Sequence, residues 1–244
     1  LIKDKEVKFV DLRFTDPRGK WQHLAMDVRV VDEDMFANGV MFDGSSIAGW
    51  KDISESDMCL MPDTDTATLD PFAAQTSLVL VCDVTEPTTG EAYSRDPRSL
   101  ARRAEAYLEY TDIGDHALFG PEPEFFVFDD VRFGQGAEGG FYTIDSTECP
   151  WNSGAEEVGG NKGYKIGHKM GYFPAAPFDH DRDIRTEMVL TMEDLGLSIE
   201  AQHHEVAPAQ HEIDFKFDTM LKSADMMQWY KYIVRNIARD NGKS

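Results

Sequence analysis

Cysteine is scarce in this chain. There are three, Cys59, Cys82 and Cys149, widely spaced and odd in number. That excludes a disulfide framework, and the lack of CxxC or CxxH spacing excludes the common cysteine-based zinc sites. A reducing compartment, the cytoplasm, is expected. Long apolar runs are also missing. None approaches the ~20 residues of a membrane helix, and Leu1-Ile2-Lys3-Asp4-Lys5 is not a secretion signal, so no membrane partner is expected. The chain opens without Met, and residues ahead of Leu1 are expected. Basic residues are few, 24 Lys and Arg against 45 Asp and Glu, for a formal net charge of −21. Nucleic acid is therefore excluded as a main partner, because phosphate backbones are bound by Lys/Arg stripes. There is no internal repeat and no low-complexity tract.

What is present suffices for a packed protein. Of 244 residues, 41% are hydrophobic, enough for one large domain or two small ones. The acidic excess suits recruitment of divalent cations, and equally suits plain solubility. Residues 1–95 read as mostly β. The segment 7–14 is a strand, Thr15-Asp16-Pro17-Arg18-Gly19 a turn, and 21–28 a hairpin partner. Leu78-Val79-Leu80-Val81-Cys82 is a buried strand by its Val content and short length. Asp96 before Pro97 caps a helix over about 97–110, with Leu100, Ala104, Tyr107 and Leu108 at helical spacing. Phe119, Phe125, Phe126, Val127 and Phe128 predict a buried strand around Glu122-Pro123-Glu124. Residues 131–164, Gly-rich and weakly periodic, predict a long excursion or flap. Ile184, Met188, Met192 and Leu195 mark a helix, 198–217 a hairpin, and Met227, Tyr230, Val234 and Ile237 a last helix. The class expected is α+β with an antiparallel sheet.

The chemistry concentrates in Gln202-His203-His204-Glu205-Val206-Ala207-Pro208-Ala209-Gln210-His211-Glu212. Strand residues two apart share a face. His203 would then lie beside Glu205, and Glu122 beside Glu124. On the returning strand Ile213, Phe215 and Phe217 form an apolar face, while Glu212, Asp214 and Lys216 take the other. A turn at Pro208 would make Glu205 and Glu212 cross-strand neighbours. Carboxylates massed on one face need a cation, and hard oxygen donors suit Mg²⁺ or Mn²⁺. Each piece also has a plain reading: a solvated acidic strand, a hydrogen-bonded histidine, an ordinary turn at Asp43-Gly44-Ser45-Ser46. A lone Lys169 near the Gly171-Tyr172 turn could contact a phosphate.

Taken in order, Phe42-Asp43-Gly44-Ser45-Ser46-Ile47, Gly120-Pro121-Glu122-Pro123-Glu124-Phe125-Phe126, Gly171-Tyr172-Phe173-Pro174 and His203-His204-Glu205-Val206 through Glu212 resemble glutamine synthetase of the bacterial type I class. The likeness runs along essentially the whole chain. It implies a small β-grasp domain over 1–95 and the first part of a catalytic α+β domain over 96–244. It implies an ATP-dependent ligase joining ammonia to the γ-carboxylate of glutamate through a γ-glutamyl phosphate. Two stacked hexameric rings would share active sites between subunits, with two or more Mg²⁺ or Mn²⁺ ions per site and ATP as co-substrate.

By motif, Glu122 resembles a ligand of the first metal, and Glu124, Glu205 and Glu212 ligands of the second. Glu200 is similar to an ATP-contacting glutamate, and Phe217 to the residue beside the adenine. Asp43, donated by the adjacent subunit, is similar to the group that helps deprotonate ammonium. Ser46 shares its loop, Tyr172 lies near the ammonium site and His203 near the reacting phosphate. Met170 stands where the family commonly has Gly, which leaves Lys169 without a firm counterpart among the nucleotide contacts. The family continues for a comparable length past Ser244, so the first-metal site is incomplete here and this portion alone should be inactive. A γ-glutamyl-polyamine ligase of the same family, a metal-dependent hydrolase and a non-catalytic scaffold are the alternatives.

Overall fold

The computed structural model describes residues 1–244. It forms two compact units, Leu1–Phe119 with Thr219–Gln228, and Gly120–Asp218 with Trp229–Ser244.

In the first unit, strands β1 (Phe9–Thr15) and β2 (Trp21–Asp27) form the expected hairpin. The Asp16 carboxylate accepts from the backbone N–H of Arg18 and Lys20, both at 2.9 Å, and so folds the turn between them. A short helix α1 (Glu33–Asn38) leads to β3 (Val40–Asp43), β4 (Asp57–Leu69) and β5 (Ser77–Thr85). The sheet order is β2-β1-β5-β4-β3, with β1 and β5 parallel and the other neighbours antiparallel. One face of each central strand is apolar, as period-2 alternation demands. Val10, Leu12 and Phe14 meet Leu60, Leu80 and Val84 in a buried core capped by Trp50 and Tyr93. Two elements were not foreseen. α1 has only six residues, too few to show a period. β4 carries three aspartates and Pro62, and a register irregularity between Asp63 and Thr68 breaks its alternation.

Helix α2 (Pro97–Tyr110) starts where the cap predicts, with the Asp96 side chain accepting from the N–H of Arg98 and Ser99. Its buried residues differ from expectation. Leu100 and Tyr107 are exposed, while Arg98 and Ser99 are buried. The reason is electrostatic. The Arg98 guanidinium meets Asp63 at 2.8 Å, Asp83 at 2.7 Å and Asp225 at 2.9 Å. Asp225 comes from the early turns of helix α4 (Met220–Asp240).

The chain enters the second unit after β6 (Leu118–Phe119). Here β7 (Glu124–Phe126), β10 (Ile199–His204) and β11 (Gln210–Phe215) form an antiparallel sheet in the order β10-β11-β7. Helix α3 (Arg182–Asp194) contributes Met188 and Met192 to the interior, and the later part of α4 contributes Tyr230, Ile233 and Ile237. A short strand, β12 (Asp218–Thr219), precedes α4.

One expectation is corrected here. The strand at Glu124 is a three-residue edge strand rather than a buried one, and Phe119 and Phe126 are exposed. The first part of 131–164 is a regular hairpin, β8 (Asp130–Gly136) with β9 (Gly139–Asp145), turning at Ala137-Glu138. Phe133, Phe141 and Tyr142 are exposed on it; with no face buried, nothing imposed a period on its sequence. No helix is long and apolar enough to cross a membrane.

Removing a buried partner of several carboxylates leaves uncompensated charge, at a cost of about 3–5 kcal/mol. Arg98→Ala is expected to cost that much, read as a lowered urea midpoint. Arg102→Ala, at a half-exposed arginine that meets Asp63 and Asp83, should cost under about 1 kcal/mol.

Candidate metal centre

Register across three strands builds the site. Glu124 on β7 stands opposite Glu212 on β11, and Glu212 stands opposite His203 on β10. Glu205, two residues past His203, leaves the end of β10 toward the same face. One carboxylate oxygen from each of Glu124, Glu205 and Glu212 lies within 4.8 Å of the others. Glu212 therefore pairs with His203, and Glu205 is its diagonal rather than its direct neighbour. The turn is the cause: the Glu205 N–H donates to the Gln210 carbonyl at 2.8 Å, and Ala209 takes a left-handed φ of 63°. Gln210 serves both ends of the site. Its side-chain oxygen accepts from Ala207 N–H, and its amide nitrogen donates to Glu124. The Tyr230 hydroxyl donates to the Pro123 carbonyl at 2.8 Å, anchoring the segment that leads into Glu124.

His203 lies among these acids. Its Nδ1 is 3.4 Å from Glu205, and its Nε2 is 3.4 Å from Glu212 and 3.8 Å from Asp214. The ring meets Phe173 edge-on at 4.5 Å, and Tyr172 stacks on Phe173 at 4.0 Å. Burial, followed by hydrogen bonding and repulsion from Asp214 and then Glu205, pushes the Glu212 carboxyl up to about 8. A carboxyl so reluctant to ionise marks a cluster short of positive charge. Three hard oxygen donors fit Mg²⁺ or Mn²⁺.

Glu122 precedes β7, is exposed and stands outside the cluster, so Glu122 and Glu124 are not paired on one strand. Glu200 is exposed on β10 at the register shift between Ile199 and Ala201. Phe217 lies beyond the end of β11 and is half exposed, so the apolar face stops at Ile213 and Phe215. Lys169 is exposed, with a left-handed φ of 55°. Asp43 and Ser46 belong to the first unit. The Asp43 carboxylate accepts from Ser45 Oγ at 2.6 Å, Ser45 N–H at 2.8 Å and Ser46 Oγ at 3.1 Å, and these bonds, led by the Ser45 hydroxyl, hold it below the usual carboxylate range. Gly44 follows because a Cβ there would stand 2.4 Å from Met58 Cγ.

Sequence reasoning left Asp214 and Gln210 unassigned, although both share the parity of Glu212. The opposite face carries a second cluster, Glu148, His204 and His211, with ligand atoms also within 4.8 Å. It does not suit a metal. Arg185 Nη1 lies 2.8 Å from His211 Nδ1, and a guanidinium only donates. Nδ1 is then the acceptor, so Nε2 carries the proton and has no lone pair for an ion.

An antiparallel sheet aiming three carboxylates at one point, joined to a mixed five-stranded domain, has the make-up of an α+β enzyme equipped for a divalent cation. The chain belongs to the glutamine synthetase family: residues 6–87 match the glutamine synthetase β-grasp domain, and residues 94–244 match the catalytic domain. It is 56% identical over 243 residues to a glutamine synthetase of Bradyrhizobium diazoefficiens, covering 100% of this chain and 52% of that protein. It is 55% identical over 245 residues to a glutamine synthetase of Salmonella typhimurium, with the same two shares. The fold is similar to that of Plasmodium falciparum glutamine synthetase seen by cryo-electron microscopy, with a TM-score of 0.90 at 25% identity over 99% of this chain and 47% of that one. The chain thus spans about half the length of the curated relatives it matches.

Glu212 is expected to titrate near pH 8 in the metal-free protein, against its ordinary 4.5. Between those values an unfolded chain has released this proton and the folded chain keeps it, so stability falls as pH rises from about 4.5 to about 8. A bound cation favours the charged form. Carboxyl ¹³C NMR should show the midpoint moving down on adding Mg²⁺; a midpoint indifferent to Mg²⁺ and Mn²⁺ would remove the cation from this site.

Proposed function

We propose that the full-length protein carrying this chain is a glutamate–ammonia ligase. The observation that carries the proposal is the convergence of Glu124, Glu205 and Glu212 on one point, in a chain whose family is glutamine synthetase. The γ-carboxylate of glutamate attacks the γ-phosphorus of ATP, ADP leaves, and a γ-glutamyl phosphate forms. Ammonium loses a proton, ammonia attacks the acyl carbon, phosphate leaves with its bonding pair, and the new C–N nitrogen gives up one further proton, which the departing phosphate takes, to leave the amide. Carboxylates are poor electrophiles, which is why the phosphoryl step comes first.

Glu124, Glu205 and Glu212 hold one divalent cation, and Glu122 contributes to another whose remaining ligands lie outside this chain. Two or more Mg²⁺ or Mn²⁺ ions per site supply charge neutralisation and alignment for the triphosphate. His203, seated against Glu205 and Glu212, faces the transferred phosphoryl group. Glu200, Phe217 and Lys169 contact the nucleotide. Tyr172 and Asp43 receive the ammonium, Ser46 supports Asp43 through their hydrogen bond, and a carboxylate at that point serves as proton acceptor. Asp43 comes from a neighbouring subunit in a pair of stacked hexameric rings. The functional boundary between β-grasp and catalytic domains falls near residue 95, the protein works in the cytoplasm, and residues 1–244 alone are inactive.

The full-length protein should convert glutamate, ammonia and ATP to glutamine, ADP and phosphate in equal amounts, with no comparable rate on putrescine. Phosphatase or peptidase activity without ATP would overturn the ligase reading. Substituting both Glu124→Gln and Glu212→Gln should abolish Mn²⁺ binding at their site, measured by electron paramagnetic resonance of free Mn²⁺; surviving affinity would sink the ligand assignment.

A further inference from the structure

Glu205 presents a mechanical difficulty. It is the one carboxylate of the three that lies past the end of its strand, where the β10–β11 ladder has stopped. Its N–H is held by Gln210. Its carbonyl is held from the opposite face of the sheet, by His204, whose Nδ1 lies 2.6 Å from Glu205 O and 2.8 Å from Gly171 O. Two carbonyl partners mean that Nδ1 carries the proton and donates. The other ring nitrogen meets Glu148 Oε1 at 2.6 Å, with both side chains fully buried. The same Oε1 accepts the N–H of Ala209 on the far side of the turn. The other oxygen, Oε2, makes no hydrogen bond, so the hydrogen bonding of this carboxyl is spent on His204 and Ala209.

Three segments converge on the ring. The Gly171 N–H donates to Val206 O at 3.0 Å, and the Phe173 N–H donates to His204 O at 3.2 Å. Ile166 N–H donates to Glu148 O at 2.8 Å. The approach is close enough to dictate a residue: a Cβ on Gly171 would stand 2.6 Å from Glu205 O and 2.9 Å from His204 Cε1. Burying a histidine–carboxylate pair this completely costs desolvation, and an apolar pair of equal volume would stabilise the fold as well or better. Packing alone therefore does not account for it.

We propose that Glu148 and His204 are positioning residues: the ring, clamped between Glu148 and two carbonyls, sets the backbone of Glu205 so that its carboxylate meets those of Glu124 and Glu212. The inference rests on reading those three carboxylates as a cation site. Groups that orient ligands from behind typically govern affinity by about 10–100-fold.

The test measures binding of Mn²⁺ alone to the full-length protein by electron paramagnetic resonance, beside a thermal melt. Glu148→Ala should weaken Mn²⁺ binding by about 10–100-fold. Glu148→Gln, whose amide oxygen can still accept from His204 and Ala209, should restore affinity to within about threefold of wild type. A merely structural role would lower the melting temperature in both variants and leave the affinity of the folded protein unchanged. Folded Glu148→Ala binding Mn²⁺ as wild type does would overturn the positioning role alone. Wild type that fails to bind Mn²⁺ would overturn the cation site and this inference together. Should Glu148→Ala not fold, Glu148→Asp keeps the charge but retracts it from His204, and the same loss of affinity is expected of it.

Discussion

Like charges brought together on one sheet face set the terms for the second unit. Carboxylates about 5 Å apart repel by on the order of 3 kcal/mol per pair at an effective dielectric near 20. Glu124 and Glu212 are held in register by a ladder that cannot slip without moving every side chain to the wrong face, and Glu205 joins them within that range from just past the end of β10. Burial first, then hydrogen bonding and repulsion from Asp214 and from Glu205, pushes the Glu212 carboxyl up to about 8. A cation is the natural relief, since protonating one member forfeits the charge that makes the cluster useful. The same argument assigns the surroundings their work: Tyr230 on Pro123 and Gln210 on Glu124 resist the outward motion that repulsion favours.

The first unit contains the contrasting solution. Asp63, Asp83 and Asp225 gather around one guanidinium: Arg98 reaches all three and Arg102 two of them. Two guanidiniums against three carboxylates offset most of that charge from within and tie β4, β5, α2 and the start of α4 together. Acid density alone therefore does not distinguish a scaffold from a site. The distinguishing feature is whether a side-chain cation has been supplied. At Arg98 it has; at Glu212 the nearest candidate is His203, a weaker and titratable charge 3.4 Å away.

The same physics explains which features the sequence disclosed. Strands and helices with one buried face were legible: Val10, Leu12 and Phe14 on β1, Met188 and Met192 on α3, Tyr230 and Ile237 on α4. Burial imposes the period, and where burial failed the period failed with it, as on the exposed β8–β9 hairpin; on β4, where Met58 and Leu60 are buried, the register irregularity between Asp63 and Thr68 breaks the alternation instead. The site was legible by parity, which places Glu212 with Asp214 and His203 with Glu205. It was not legible in register, because one left-handed residue, Ala209, decides which glutamate faces which histidine. Glu148 was invisible. It sits in an irregular stretch, and only the folded chain brings it to His204, 56 positions away.

Parity also accounts for the density of ligand-type side chains between His203 and Glu212. The segment serves two faces at once. His203, Glu205 and Glu212 look toward the carboxylate cluster, while His204 and His211 look back into the packed interior. Counting every histidine and glutamate as a prospective ligand therefore overstates the metal capacity of the front face. The back-face members are as tightly specified. Arg185, paired with Asp179 at 2.6 and 2.8 Å, settles the tautomer of His211, and Glu148 fixes the ring of His204. An exposed ligand can be no better placed than the backbone beneath it. At the end of β10, where the ladder runs out, that backbone is held by buried polar groups on the opposite face of the sheet.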